Sequence, residues 1–181
     1  NDNRTKLLIV GDSFAKDITN TVFESNLRHQ FQVSTYAEGN CLFKKLCYAN
    51  ANKKIFFDLV KDSEQIWLVK SWKIEEINFL HEFIKEIKKQ TKAEVYIFGS
   101  KNFGEKLIFK KFLNLSPEER LLIRILQRPD YIEVNNYMKR ELKDLNFIDL
   151  DIIYCKDDLC TLFNSKGDLL SFDSIHLTKE G

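Results

Sequence analysis

A serine, a glycine and an Asp/His pair stand at separated points of this sequence, each beyond a stretch that reads as a strand or turn. Ser13 closes Gly11-Asp12-Ser13 after the apolar run Lys6–Val10, and Gly39 follows the alternating run Phe31–Tyr36. Ser71, with Trp72 beside it, follows the run from Gln65 to Lys70, and Asp173 and His176 fall in the last loop. These residue types suit acyl transfer. A serine hydroxyl is a weak nucleophile until an imidazole takes its proton, and a carboxylate orients that imidazole and stabilises its cation. Ser13 then serves as nucleophile, His176 as base and Asp173 as the orienting acid. The amides of Ser13 and Gly39 serve as oxyanion donors, each typically worth about 2.7–4 kcal/mol of transition-state stabilisation.

Each of these residues also has a plainer role. Gly-Asp-Ser after a strand reads equally as a helix N-cap, and an Asp and a His three apart near a chain end read as side chains on the surface facing water. Gly39 serves a turn. Trp72 and Phe103, aromatics near strand ends, either stack on a sugar ring or pack in the core. His29 in a polar loop and His81 on a long helix beside Leu80 read as surface or half-buried structural residues.

Residues so far apart in sequence meet only if the elements between them deliver them to one edge. The predicted strands are Lys6–Val10, Phe31–Tyr36, Gln65–Lys70, Glu94–Phe98 and Phe147–Ile153. Between them, apolar residues recur at helical spacing. One stripe is Phe14, Ile18, Val22 and Leu27, another lies within Ala51–Lys61, and the clearest is Ile74, Ile77, Leu80, Ile84 and Ile87. Ser116-Pro117-Glu118-Glu119 opens a helix with a capping box and Pro at its first position. Pro129 starts another that runs toward Leu145, and Gly167 marks a late turn. Strands alternating with helices predict an α/β fold, a three-layer α/β/α sandwich around a parallel sheet of about five strands. In such a sheet ligands bind at the strand carboxyl ends, where all the residues above would lie.

With 181 residues, two prolines and six glycines, one domain over residues 1–181 is the economical organisation. Lys+Arg 28 against Asp+Glu 27 gives +1, which removes the bulk electrostatic case for a nucleic-acid partner. The longest apolar runs, such as Ile66–Val69 and Leu121–Ile123, fall far short of the roughly 20 residues of a membrane span. The chain reads as a piece of a longer protein, with a closing helix expected beyond Gly181. Its four cysteines form two local pairs, Cys41 with Cys47 and Cys155 with Cys160. Disulfides, a zinc site and free thiols all remain open from spacing alone.

Gly11-Asp12-Ser13, Gly39 and Asp173-Ser174-Ile175-His176-Leu177-Thr178 resemble blocks I, II and V of the SGNH (GDSL-like) hydrolase superfamily, a flavodoxin-like fold, in order along almost the whole chain. More narrowly, Gly11 to Ala15, Ile66 to Trp72, Val95 to Gly99, the Cys155/Cys160 pair and Phe172 to Thr178 resemble the SGNH domain fused to the carboxyl end of acyltransferase-3 membrane proteins.

The resemblance implies a catalytic triad of Ser13, Asp173 and His176 and no cofactor or metal. It implies an O-acetyltransferase that acetylates a bacterial surface glycan, with the acyl donor delivered by a fused membrane acyltransferase domain. A free-standing carbohydrate esterase or deacetylase and a non-catalytic glycan-binding module are the alternatives. It further implies a periplasmic or otherwise extracytoplasmic place, tethered to the cytoplasmic membrane through a domain outside this segment. That oxidising setting in turn implies the disulfides Cys41–Cys47 and Cys155–Cys160. One departure stands out. The superfamily's block III, Gly-x-Asn-Asp, supplies an Asn to the oxyanion, whereas the matching strand end here reads Val69-Lys70-Ser71-Trp72. The Ser71 hydroxyl is the substitute donor expected there, its plainer role being that of a turn or cap residue, and Trp72 is the expected substrate contact.

Overall fold

A computed structural model describes residues 2–37, 43 and 53–181. Gly39, Cys41 and Cys47, and with them the expected second oxyanion donor and the first cysteine pair, lie outside the described residues. The strands are β1 (Thr5–Gly11), β2 (Phe31–Tyr36), β3 (Gln65–Val69), β4 (Glu94–Phe98), β5 (Arg124–Leu126), β6 (Asn146–Ile148), β7 (Cys155–Lys156) and β8 (Leu159–Thr161). The α-helices are α1 (Ser13–Glu24), α2 (Lys53–Lys61), α3 (Ile74–Lys88), α4 (Pro117–Arg120), α5 (Pro129–Glu141) and α6 (Asp151–Tyr154). The chain divides into two compact units, one running to Gly99 and taking in Met138–Ile148, the other made of Ser100–Tyr137 and Asp149–Gly181.

The first unit is built on the expected five-stranded parallel sheet, in the order β2-β1-β3-β4-β6 and flanked by helices. Leu7, Leu8, Ile9 and Val10 of β1 are all buried, which is why this strand reads as an unbroken apolar run: it is covered on both faces. β1 connects onward to β2 on one side, while its other neighbour, β3, connects to β4. The chain therefore reverses direction across the sheet between β1 and β3, the topological switch point at which α/β sheets hold ligands. On α3, the apolar residues Ile77, Phe79, Leu80, Phe83, Ile84 and Ile87 are buried as their spacing requires.

The second unit holds a three-stranded antiparallel sheet, β5-β8-β7, that the sequence reading missed. Its core is Phe103, Ile125, Cys160, Leu162, Phe163 and Leu170. The Ser116 capping box forms as expected, with Glu119 N donating to Ser116 Oγ and Ser116 N to Glu119 Oε2, but α4 lasts only one turn. The Gly167 turn is present, with φ of +81° and a backbone against Pro117 that leaves no room for a Cβ.

Four boundaries are corrected. α1 stops at Glu24, before Leu27, because Ser25 caps a separate 3-10 turn at Asn26–His29 by accepting from Leu27 N. β3 ends at Val69, so Lys70 belongs to the loop. α5 ends at Glu141 rather than near Leu145. The fifth parallel strand spans only Asn146–Ile148, because the Asp149 carboxylate accepts from Asp151 N and turns the chain into α6.

Candidate active site

Gly11 ends β1 where the neighbouring strand passes so close that a Cβ would lie 1.7 Å from the Val69 carbonyl oxygen. Only glycine permits that approach. Asp12 then does two jobs. Its Oδ1 accepts from Phe14 N at 2.9 Å, capping α1, and its Oδ2 accepts from Ser71 N at 3.1 Å. The carboxylate thus ties the end of β1 to the loop after β3, across the switch point. Ser13 follows as the exposed first residue of α1, where the helix dipole favours developing negative charge.

The loop after β3 is held from below. Lys70 Nζ lies 2.7 Å from Glu76 Oε1, with side chains 3% and 0% exposed, and Glu76 Oε2 accepts from Lys73 N at 3.1 Å. The Lys70 ammonium also faces the rings of Phe43 and Trp72. Trp72 itself is buried, its indole Nε1 donating to the Phe98 carbonyl at 2.7 Å and its ring edge-on to Phe43. That is the core role, and the expectation of an accessible sugar contact at Trp72 is corrected accordingly. Phe103 is likewise core, fully buried in the second unit and edge-on to Tyr154. His29 and His81 are exposed on the 3-10 turn and on α3.

Asp173 and His176 meet in the second unit. Asp173 Oδ2 lies 2.6 Å from His176 Nδ1, while Oδ1 accepts the backbone amides of Ile175 and His176 at 3.0 and 2.8 Å. Partial burial pushes the Asp173 carboxyl up. The His176 amide and imidazole and the Ile175 amide outweigh it and hold the group down at about 2. An Nδ1 proton held by this carboxylate makes Nε2 the basic nitrogen of His176. Between the two residues, Ser174 is buried and has a φ of +69°, a left-handed conformation costly for a residue with a Cβ. That reversal lets one carboxylate reach both its own turn and the imidazole. The exposed ring next to the pair is Phe172, edge-on to Phe109.

Cys155 and Cys160 are joined as a disulfide across directly paired positions of β7 and β8, so this pair is not a zinc site. Among the described residues no group of three or more His, Cys, Asp or Glu could hold a metal ion, and no helix is long and apolar enough to cross a membrane.

Residues 1–181, the full length of the chain, match the family model described as "SGNH domain (fused to AT3 domains)". The chain belongs to this SGNH family. Membership brings ester chemistry, either acyl transfer or hydrolysis, and an association with AT3 membrane domains. No curated protein matches the chain.

Several residues that shape this SGNH site escaped sequence reasoning. For Asp12 the capping of α1 is the plainer reading of Gly11-Asp12-Ser13 already given, and what escaped is its second bond, to the Ser71 amide. Glu76 had a visible signal, because it lies four residues before Leu80 on the apolar stripe of α3. Ser174 had none, since a left-handed serine is dictated by contacts distant in sequence.

Proposed function

We propose that this SGNH domain is an extracytoplasmic O-acetyltransferase domain that passes an acetyl group, through an acyl-Ser13 intermediate, to a hydroxyl of a bacterial surface glycan. The observation that carries the reading is the Asp173–His176 pair, an imidazole oriented by an ionised carboxylate. The match to a family fused to AT3 domains supports a membrane partner that delivers the acyl group, and the Cys155–Cys160 disulfide supports an oxidising compartment such as the periplasm. In this reading the two units work as one SGNH domain, as the match over residues 1–181 supports.

The chemistry follows in balanced steps. Ser13 Oγ attacks the acyl carbonyl as its proton passes to His176 Nε2, and the carbonyl oxygen becomes an oxyanion. Collapse breaks the bond to the donor's leaving group, which takes the proton from His176. The sugar hydroxyl then attacks the acyl-serine, its proton goes to His176, and Ser13 leaves with that proton. The Ser13 and Gly39 amides are the oxyanion donors of this reading. The Ser71 amide already donates to Asp12, so a Ser71 contribution falls to its hydroxyl.

The test has two parts. A fluorophosphonate probe should label the protein and fail to label Ser13→Ala; equal labelling of both would reject Ser13, and no labelling of either would favour a glycan-binding module. In cells carrying the full-length protein, Ser13→Ala should remove the acetyl signal from proton NMR spectra of the surface glycan. A gain of acetyl would make the enzyme a deacetylase.

A further inference from the structure

We infer that Asn102 is a positioning residue for the Asp173–His176 pair, acting through the peptide that joins Ser174 to Ile175. The inference rests on the reading of that pair as the general base. The Ser174 carbonyl accepts from Asn102 Nδ2 at 3.2 Å and from Phe103 N at 2.8 Å. The same peptide plane carries the Ile175 N–H, which donates to Asp173 Oδ1 at 3.0 Å. Because the peptide is rigid, fixing its carbonyl fixes its N–H, and with it the carboxylate that orients His176.

Asn102 suits this role because it is itself immobilised. It is 1% exposed, and its Oδ1 accepts from Gly104 N and Arg128 N, both at 3.0 Å. Two residues earlier, Ser100 is clamped at both backbone groups by Asn135, whose Nδ2 donates to the Ser100 carbonyl at 2.8 Å and whose Oδ1 accepts from Ser100 N at 3.1 Å. Asn135 is in turn held by Asp151 Oδ2 at 2.8 Å. Three residues after Asn102, the Glu105 carbonyl accepts from Ser174 Oγ at 2.6 Å. The segment from Ser100 to Glu105 therefore grips the left-handed serine at its carbonyl and its hydroxyl. Without that grip a serine with positive φ would relax. Without Asn102 the turn keeps two tethers, the Ser174 hydroxyl on the Glu105 carbonyl and the Phe103 amide on the Ser174 carbonyl, and Asn102 Nδ2 adds the third, from a side chain.

The test compares the 181-residue chain with Asn102→Ala and Asn102→Asp. The aspartate keeps an oxygen for the Gly104 and Arg128 amides and loses the donor to Ser174, so it carries the test if the alanine variant does not fold. Two readouts are taken: hydrolysis of p-nitrophenyl acetate, and the low-field proton resonance of the His176 Nδ1–H held by Asp173. A displaced catalytic group costs rate more than binding, so kcat should fall on the order of 10- to 100-fold with KM changed less than about twofold. The resonance should broaden or disappear while the circular dichroism spectrum is kept. Unchanged kcat with an unchanged resonance in the folded aspartate variant would overturn the inference, as would a loss confined to KM. The resonance is read without turnover, so a wild-type protein that shows it yet lacks esterase activity counts against the proposed function alone.

Discussion

One carboxylate of Asp173 serves two partners: Oδ1 closes its own turn on the amides of Ile175 and His176, and Oδ2 meets His176 Nδ1 at 2.6 Å. The pair should therefore behave as a unit. Asp173→Asn and His176→Ala should each lower kcat on an activated acetyl ester by orders of magnitude, and the double variant should be little worse than the His176→Ala single. Clean additivity of the two losses would show that they do not act together.

The titration of Asp173 gives a signed pH dependence. Its folded carboxyl sits at about 2 against an ordinary 3.8, so the contact adds stability above 3.8 and loses it as pH falls toward 2. The melting-temperature gap between the protein and Asp173→Asn should be constant above about pH 5 and narrow below about pH 4. With side chains 41% exposed, solvent screening keeps that gap small. A gap that widens with acid would contradict the assignment.

Gly11→Ala should destabilise the parallel-sheet unit strongly. The new Cβ would meet the Val69 carbonyl oxygen at 1.7 Å and the carbonyl carbon at 2.7 Å, both backbone atoms that cannot swing aside. A loss of about 3 kcal/mol is expected in urea unfolding, at the upper end of overpacking effects. A shift below about 0.5 kcal/mol would mean that β1 and β3 separate easily there.

Glu76→Ala should leave the Lys70 ammonium buried without its carboxylate and release the Lys73 amide. Breaking one side of a buried ion pair costs about 3–5 kcal/mol. Replacing both residues, Lys70→Met with Glu76→Leu, should recover much of that loss, and denaturant midpoints of the three proteins check the order.

Reduction of Cys155–Cys160 should lower the stability of the second unit by about 2 kcal/mol, the loop-entropy figure for so short a loop. Non-reducing peptide mapping establishes the bond, and thermal melts with and without reductant give its size.

The sequence alone was enough to establish the parallel sheet and the residue types of the site, for a local reason. The buried run Leu7–Val10, the stripe of α3 and the Ser116 box each follow from side chains within one element, so periodicity and capping chemistry reveal them. What tertiary structure decided involves partners distant along the chain. Ser71 is 59 residues from the Asp12 carboxylate to which its amide donates, and Asn102 is 72 residues from the Ser174 carbonyl it holds. The short strands β5, β7 and β8 are too brief to carry a period and form only by pairing with one another. Ser174 takes a left-handed conformation that its residue type disfavours, because hydrogen bonds from Asn102 and Phe103 and to Glu105 outweigh the local preference. An Asp and a His three residues apart can be read from any sequence; that they face each other depends on that distant grip.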